Sequence, residues 1–350
     1  MGAFVLSAIL FLNSFLLSSQ SPINSPKVER KEEPKKLLLT SDAVARDFFF
    51  PLAAGAYSDF PEMCLNSTFS NAQLHAKVKV LCGNGYHEPE NCFGYTAAIH
   101  DTKTILIAFR GTHGLMQLLF EGQRTILQAK VNATIGGQIG DYFATVYASV
   151  MEAGLLDSLQ MLLRQYPDYN VAATGHSLGG ALAAIAAAEI VALEGVPASK
   201  VSLITFGQPR TGDSVYAAAH DETLPHSYRV THSRDLVPHV PMLGFEDYRH
   251  HMSEVWYDNN MASGQPFVEC DEDESDKCSN GKSFHVSVWD HLYYYNVFLT
   301  DYGIGGCLQN LNDGPSEKTR EFIHRGPQEA ASDPAGAFVK RTIKFLADGN

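Results

Sequence analysis

The sequence predicts an α/β fold in which an open, mostly parallel sheet is covered by helices on both faces. Short apolar runs of strand length recur along the chain, and segments with helical periodicity separate them. This alternation is typical of parallel sheets, because neighbouring parallel strands need a long crossover between them. The 350 residues are 45% hydrophobic and 19% charged, which fits a globular enzyme and argues against wholesale disorder.

The predicted elements start with a helix that begins at Thr40 or Ser41, either of which can cap it. We expect this helix to run towards Ala54, with a kink at Pro51. The predicted strands cover residues 93–98, 104–109, 169–174, 201–206, 226–231 and 253–257. The further predicted helices cover residues 141–166, 178–193, 215–220 and 289–298.

The two ends of the chain differ in composition from its middle. Residues 1–20 are apolar, uncharged and end in small residues, which predicts a secretory signal peptide. The alternative is an uncleaved membrane anchor, although a spanning helix usually needs about 20 apolar residues. Residues 21–39 are interpreted as a flexible charged leader and 309–350 as a polar tail, in which 337–346 can form a short amphipathic helix. The folded domain is therefore placed at 40–308.

Charge and cysteine content narrow the class of protein further. The net charge of −13, from 39 acidic and 26 basic residues, disfavours a nucleic-acid partner. An even number of cysteines in an exported chain predicts three disulfides, for which 15 pairings are possible. The six cysteines are Cys64, Cys82, Cys92, Cys270, Cys278 and Cys307. Two glycosylation sequons, at Asn66 and Asn132, fit export as well, and the cysteine spacings do not resemble a zinc site.

The pentapeptide Gly-His-Ser-Leu-Gly at 175–179 places Ser177 in a Gly-x-Ser-x-Gly pattern. So short a pattern is weakly specific by itself, but here it follows a predicted strand and opens a predicted helix. A nucleophile on such a strained turn needs neighbours without side chains, so that the chain can bend sharply. The context therefore predicts Ser177 as a nucleophile.

A serine nucleophile needs a base to take its proton and an acid to orient that base. Asp235 follows the carboxyl end of the predicted strand 226–231. Active-site residues of open α/β sheets gather at the edge formed by the carboxyl ends of the strands. His285 and His291 are the two candidates for the base, and local chemistry alone does not separate them. The other histidines are interpreted as structural or surface residues, including His232, His239, His250 and His251.

Two further parts of a hydrolase site have sequence candidates. An oxyanion hole needs two donors, for which we expect Leu178, after the nucleophile, and Thr112, in an early loop. A plain helix cap is the alternative for Thr112. The apolar stretch that follows is interpreted as a lid, with a buried core helix as the alternative. The lid candidates are Leu115, Met116, Leu118, Leu119 and Phe120.

These features together resemble the fungal lipase-like family, the class 3 lipases, over residues 40–308. The resemblance extends to secreted members from invertebrates such as nematodes. It is carried, in order, by Phe-Arg-Gly-Thr112, Gly-His-Ser-Leu-Gly-Gly180, Thr-Phe-Gly-Gln-Pro-Arg-Thr-Gly212, Asp-Leu-Val-Pro-His-Val-Pro241, Asp-His-Leu-Tyr-Tyr294 and Gly-Cys307. The resemblance implies a single-domain α/β-hydrolase fold.

What the resemblance implies goes beyond the residues alone. It selects His291 as the base, because the family's catalytic histidine lies in an Asp-His-Leu-x-Tyr segment. It implies a disulfide between Cys64 and Cys307. The remaining disulfides, Cys82–Cys92 and Cys270–Cys278, then each close a short loop. The family does not generally use a metal, so we expect no cofactor and interpret the acidic residues 269–278 as a solvated turn rather than a calcium site. The segment from 113 lacks the Ser-x-x-Asn-Trp pattern of many fungal lids.

The predicted function is hydrolysis of lipid esters, with triacylglycerol as the default substrate, by a secreted serine esterase. Phospholipids, monoacylglycerols and aryl esters stay open as substrates, because one fold accepts many esters. The rival functions are a catalytically silent lipid carrier on the same fold and a peptidase that uses the same triad. The expected partner is a lipid ester, met in solution or at a lipid–water interface.

Overall fold

The protein is built from interspersed strands and helices. The computed structural model describes residues 42–82, 90–111, 128–283 and 287–312. The strands are β1 (Ala72–Cys82), β2 (Glu90–Ile99), β3 (Thr104–Phe109), β4 (Lys130–Asn132), β5 (Gln138–Gly140), β6 (Asn170–His176), β7 (Val201–Phe206), β8 (Gly212–Asp213), β9 (Ser227–His232), β10 (Tyr248–Arg249), β11 (Glu254–Tyr257), β12 (Val268–Cys270), β13 (Tyr293–Tyr294) and β14 (Val297–Phe298).

The central sheet has eight strands in the order β1–β2–β3–β6–β7–β9–β11–β12. Its middle, from β3 to β11, is parallel throughout, and antiparallel strands extend it at both edges. The register sets Phe109 beside Gly175, and Gly175 beside Thr205. The carboxyl ends of β3, β6 and β7 therefore lie level at one edge, where open α/β sheets place their sites.

Helices cover both faces of this sheet. They are α1 (Phe50–Gly55), α2 (Pro61–Thr68), α3 (Asp141–Val150), α4 (Leu156–Gln165), α5 (Leu178–Ala192), α6 (Ser214–Thr223), α7 (Val288–Leu292) and α8 (Leu299–Ile304). One apolar core lies between the sheet and α3 to α6, and a second lies between the other face and α1, α2 and α8. The predicted single-domain α/β-hydrolase architecture is confirmed.

The structure corrects two predicted helices and adds elements that were not predicted. The strand β1 is the longest of the added strands. The helix predicted at 141–166 is two helices, because a π-helical turn at Met151–Leu155 contains Gly154 with a φ of 115°. The helix predicted at 289–298 ends at Leu292, and a hairpin follows in which both Tyr295 and Asn296 have positive φ. Two consecutive positive φ angles make a tight hairpin turn, which a helix cannot contain.

The three disulfides pair as the family resemblance implies. They are Cys64–Cys307, Cys82–Cys92 and Cys270–Cys278. The first links α2 to the residues after α8, whereas the other two close short loops. Within the described ranges, the helices are too short or too polar to cross a bilayer.

Candidate active site

Ser177 lies on the sharp turn between β6 and α5, with φ 60° and ψ −129°. A non-glycine residue rarely adopts such a conformation, and it persists only where the surroundings enforce it. The flanking glycines make the turn possible. A Cβ at Gly175 would collide with the carbonyl oxygen of Gly179, and a Cβ at Gly179 with that of Phe109. The Gly-x-Ser-x-Gly pattern therefore encodes close packing of strand, turn and helix.

The surroundings of Ser177 suit a reacting group. Its side chain is buried, and its Oγ has no hydrogen-bond partner among the described residues. Its backbone N–H donates to the carbonyl oxygen of Phe206 at 2.9 Å, which fixes the turn to the end of β7. Leu178 is the first residue of α5, so its N–H has no acceptor within the helix. A hydroxyl and a free helix-end N–H thus meet where the helix dipole favours negative charge.

Asp235 and His291 form a buried, hydrogen-bonded pair. Nδ1 of His291 lies 3.0 Å from both carboxylate oxygens of Asp235, and it must be the donor because a carboxylate only accepts. Asp235 also accepts from the Val237 N–H at 2.9 Å and from the Tyr294 hydroxyl at 2.8 Å. Burial by itself raises the pKa of Asp235, but the charge and hydrogen bond of His291 and these other donors outweigh it, so the pKa is lowered. The carboxylate therefore stays ionised and fixes the imidazole ring.

His176 connects the turn at Ser177 to His291. The two imidazole rings stack, with centroids 4.4 Å apart and planes 30° apart. Nε2 of His176 donates to the carbonyl oxygen of His291 at 2.7 Å. The residue next to the predicted nucleophile thus contacts the predicted base directly, and Asp235 completes the group at the carboxyl edge of the sheet.

Several predicted site residues lie outside the described residues. They are Thr112, the five lid candidates and His285. Gly111, which precedes Thr112, does lie against the turn, since a Cβ there would be 2.9 Å from Cβ of Ser177. The chain therefore passes next to Ser177 as it enters the segment predicted to supply the second oxyanion donor.

Two of the histidines interpreted as structural do serve the fold. His232 lies 3.1 Å from the carbonyl oxygen of Asp290 and 2.8 Å from that of Asn259, and it can donate to one of them; His250 donates to the carbonyl oxygen of Pro238. Sequence reasoning missed three residues of the site: Tyr294 bonds Asp235, His176 bonds His291, and Tyr57 bonds His176. For Tyr294 a signal existed, because it lies in the Asp-His-Leu-Tyr-Tyr motif. Tyr57 has no such signal.

One cluster in the described chain has metal-ligating residue types, formed by His220, Asp221 and His251. The rings of His220 and His251 stack 3.8 Å apart at 24°, so their lone pairs lie in nearly parallel planes and do not converge on one ion. Nε2 of His251 faces the Gln208 amide, and its Nδ1 bonds the Met252 carbonyl. This donor set does not fit a metal site.

The acidic loop at 269–278 is not simply solvated, in contrast to the prediction. Glu274 within it accepts two hydrogen bonds from Arg210, at 2.8 and 2.7 Å, and its side chain is only 5% exposed. Arg210 also donates to the carbonyl oxygen of Pro241. The loop closed by the Cys270–Cys278 disulfide therefore places the buried carboxylate of Glu274 against Arg210, which also bonds Pro241 in the segment that follows Asp235.

Comparison with known proteins places this geometry in a family. A family model described as lipase, class 3, matches residues 106–245. A lipase of Caenorhabditis elegans is 33% identical over 298 residues, which cover 77% of this chain and 83% of that lipase. The chain belongs to the class 3 lipase family. This class 3 lipase is a carboxylic ester hydrolase.

Further relatives and solved structures agree with this placement. A secreted mono- and diacylglycerol lipase of Fusarium solani is 25% identical to this chain, and the match covers 84% of this chain and 88% of the Fusarium protein. The structure of the Rhizomucor miehei triacylglyceride lipase superposes with a TM-score of 0.63 at 27% identity, over 75% of this chain and 97% of that one.

Two more lipase structures superpose on this protein, and each superposition covers 72% of this chain and 93% of the other chain. A triacylglycerol lipase whose catalytic centre is formed by a serine protease triad has a TM-score of 0.62 at 28% identity. A fungal lipase–inhibitor complex that yielded a model for interfacial activation has a TM-score of 0.60 at 27% identity.

Proposed function

We propose that this class 3 lipase hydrolyses acylglycerols through an acyl-enzyme on Ser177, with His291 as the base and Asp235 as its orienting acid. The observation that carries the proposal is the buried Asp235–His291 hydrogen bond, held against the Ser177 turn by His176. A triad in a related triacylglycerol lipase supports it. The acylglycerol substrate rests on the substrates named for the fungal relatives.

The chemistry follows from these positions. His291 takes the proton of the Ser177 hydroxyl as its oxygen attacks the acyl carbonyl, and Asp235 stabilises the imidazolium that forms. The N–H of Leu178 and a donor from Thr112 hold the oxyanion. His291 then protonates the leaving alcohol. Water, deprotonated by His291, attacks the acyl-enzyme, and the fatty acid leaves as His291 returns the proton to the Ser177 oxygen.

A fluorophosphonate probe tests the nucleophile, because it reacts with activated serines. Labelling is expected in the wild-type protein and to be lost in Ser177→Ala. Ser279→Ala, which removes another buried hydroxyl, is expected to label normally. His291→Ala is expected to lose several orders of magnitude in rate, while His285→Ala keeps it. Absence of labelling in folded wild-type protein overturns the proposal, and a loss confined to His285→Ala overturns the base.

Rates on a series of esters test the substrate class. Triacylglycerols, monoacylglycerols, phospholipids and aryl esters are compared below and above their solubility limits. Faster hydrolysis of acylglycerols is expected, with a rise above the solubility limit if residues 115–120 act as a lid. A preference for phospholipids contradicts the proposed acylglycerol substrate. A rate that rises linearly through the solubility limit contradicts the proposed lid.

The protein is further proposed to be secreted and glycosylated. Three disulfides fit an oxidising compartment, the apolar residues 1–20 fit a signal peptide, and a relative is named as secreted. Asn66 and Asn132 are both exposed, as glycosylation requires.

Expression of the full chain in eukaryotic cells is expected to release protein that begins near residue 21. Glycosidase treatment is expected to shift its mass, and not that of the Asn66→Gln, Asn132→Gln double variant. Retention in cells with an intact N-terminus contradicts secretion.

A further inference from the structure

Two hydrogen bonds in sequence cross the candidate site from one loop to the next. They start at Tyr57, which lies just after α1, and its hydroxyl lies against Gly111, since a Cβ built there would be 2.4 Å from it. The Tyr57 hydroxyl lies 2.8 Å from Nδ1 of His176. Nε2 of His176 lies 2.7 Å from the carbonyl oxygen of His291. These bonds thus begin at Tyr57, against Gly111, pass through the neighbour of Ser177 and end on His291.

The direction of each bond follows from the donors and acceptors. A carbonyl oxygen only accepts, so Nε2 of His176 carries the hydrogen. In a neutral imidazole Nδ1 then accepts, and the Tyr57 hydroxyl must donate to it. Burial, followed by the charge of His291, lowers the pKa of His176 to about 3, so the ring is neutral near neutral pH. Both bonds are therefore satisfied by one tautomer.

We propose that Tyr57 and His176 are positioning residues that hold the oxyanion loop, the Ser177 turn and His291 in reactive alignment. The proposal rests on the proposed function, in which these three segments supply the donor, the nucleophile and the base. Tyr57 and His176 act through Gly111, through the backbone at Ser177 and through the backbone of His291.

The neutrality of His176 serves the same purpose. Its ring stacks on that of His291, which becomes an imidazolium during the reaction. A neutral ring at 4.4 Å adds no like charge beside this cation, yet it still restricts the plane in which His291 lies. Displacements of about 1 Å in a reacting group cost on the order of a hundredfold in rate, so small losses of alignment are measurable.

Variants with matched controls separate positioning from general stability. Tyr57→Phe removes the hydroxyl that bonds His176 and lies against Gly111, and Tyr95→Phe is its control. Tyr95 is buried and donates to the carbonyl oxygen of Leu52 at 2.7 Å, away from the site. His176→Phe keeps an aromatic ring without hydrogen bonds, and His220→Phe is its control. His220 is equally buried and stacks on another histidine, His251.

The measurement is kcat and KM on a soluble short-chain aryl ester, together with Tm. Tyr57→Phe is expected to lower kcat about tenfold to a hundredfold with KM nearly unchanged, while Tyr95→Phe lowers only Tm. His176→Phe is expected to lose at least as much kcat as Tyr57→Phe. His176→Gln is expected to recover part of the loss, because its amide N–H can reach the His291 carbonyl that Nε2 reaches.

The proposal is overturned if Tyr57→Phe and Tyr95→Phe have equal kcat, or if His176→Gln is no faster than His176→Phe. If His176→Phe does not fold, the comparison of Tyr57→Phe with Tyr95→Phe decides. Failure of the proposed function gives a different result, because the wild-type protein then fails to label with fluorophosphonate at Ser177. Failure of positioning leaves that labelling intact.

Discussion

Gly207 lies directly against the carboxylate of Asp235. A Cβ built at position 207 would be 2.8 Å from Oδ2 of Asp235 and 2.8 Å from Nδ1 of His291. The backbone there has a φ of 56°, which side chains disfavour, and the N–H donates to the carbonyl oxygen of Val230. The glycine of the Thr-Phe-Gly-Gln-Pro-Arg motif is thus explained by the volume that the Asp235–His291 pair occupies.

Gly207→Ala is therefore expected to displace Asp235 or His291 and to lower kcat by on the order of a hundredfold. Gly195→Ala is the matched control, because Gly195 has a φ of 67° and open space where the Cβ would lie. Both changes carry a backbone cost of about 1–2 kcal/mol, and only the first touches the site. Kinetics and urea unfolding of both variants check this. Equal kcat in the two would mean that the pair tolerates a methyl group.

Asp235→Asn is expected to lower kcat by about 10³- to 10⁴-fold while most of the stability is kept. The amide has nearly the volume of the carboxylate; its oxygen can still accept from the Val237 N–H, and its NH₂ group can donate to the Tyr294 hydroxyl oxygen. Its NH₂ group cannot accept from Nδ1 of His291, so the imidazole loses its orientation and tautomer. Single-turnover acylation with an aryl ester measures the loss, and the unfolding midpoint serves as the stability check. A loss below tenfold would exclude Asp235 as the orienting acid.

The Arg210–Glu274 pair predicts a defined pH dependence of stability. Burial by itself raises the pKa of Glu274, but the hydrogen bonds and charge of Arg210 outweigh it and lower the pKa from 4.5 to about 2. Because the pKa of Glu274 is lower in the folded protein than in the unfolded chain, the ionised carboxylate stabilises the fold at pH values above 4.5, its ordinary pKa. This stabilisation is lost as the pH falls from about 4.5 to 2. The shift corresponds to about 3 kcal/mol.

Glu274→Gln is accordingly expected to be less stable than wild type at pH 7 and to show a shallower loss of stability between pH 4.5 and 2. Glu272→Gln is the control in the same loop, because Glu272 is exposed, lies 3.9 Å from the exposed Lys277 and accepts one hydrogen bond, from Ser275. Chemical unfolding at a series of pH values measures both. The interpretation of Glu274 as a buried counter-ion fails if the two variants have the same pH profile.

Local signals predicted the parts of the fold that depend on local sequence. The strands β3 and β7 begin and end at the predicted residues, because both are short apolar runs bounded by polar or glycine-containing segments. The turn at Ser177 was predictable because its glycines are adjacent in sequence. The hairpin at β13 and β14 was missed, since its aromatic residues resemble a helix continuing from α7 and only the positive φ angles reveal the turn.

Long-range contacts set the limit of sequence reasoning at the site. Tyr57 meets His176 across 119 residues of chain, and Arg210 meets Glu274 across 64. Single-sequence patterns do not encode which distant polar groups will pair. The acidic loop therefore looked solvated, although a single carboxylate in it is buried against a guanidinium group. The choice of His291 likewise depended on family resemblance, because its distance from Asp235 in space is not visible in the sequence.

The disulfide between Cys64 and Cys307 is expected to contribute more stability than the one between Cys82 and Cys92. Their sequence separations are 243 and 10 residues, and a longer closed loop restricts the unfolded chain more. The loop-entropy model gives a difference of about 2–3 kcal/mol. Native contacts already hold the Cys307 end in place, since Ser67 donates to the Gly306 carbonyl oxygen at 2.8 Å.

Cys64→Ala with Cys307→Ala is therefore expected to fold to the same structure with a lower free energy of unfolding. Its kcat at 25 °C is expected to stay near wild type, because neither cysteine contacts Ser177, Asp235 or His291 among the described contacts. Cys82→Ala with Cys92→Ala is the matched control, with the smaller loss. Urea unfolding of the oxidised wild type and both double variants measures the difference. An equal loss in the two would mean that strain or local packing, rather than loop length, sets the contribution of these disulfides.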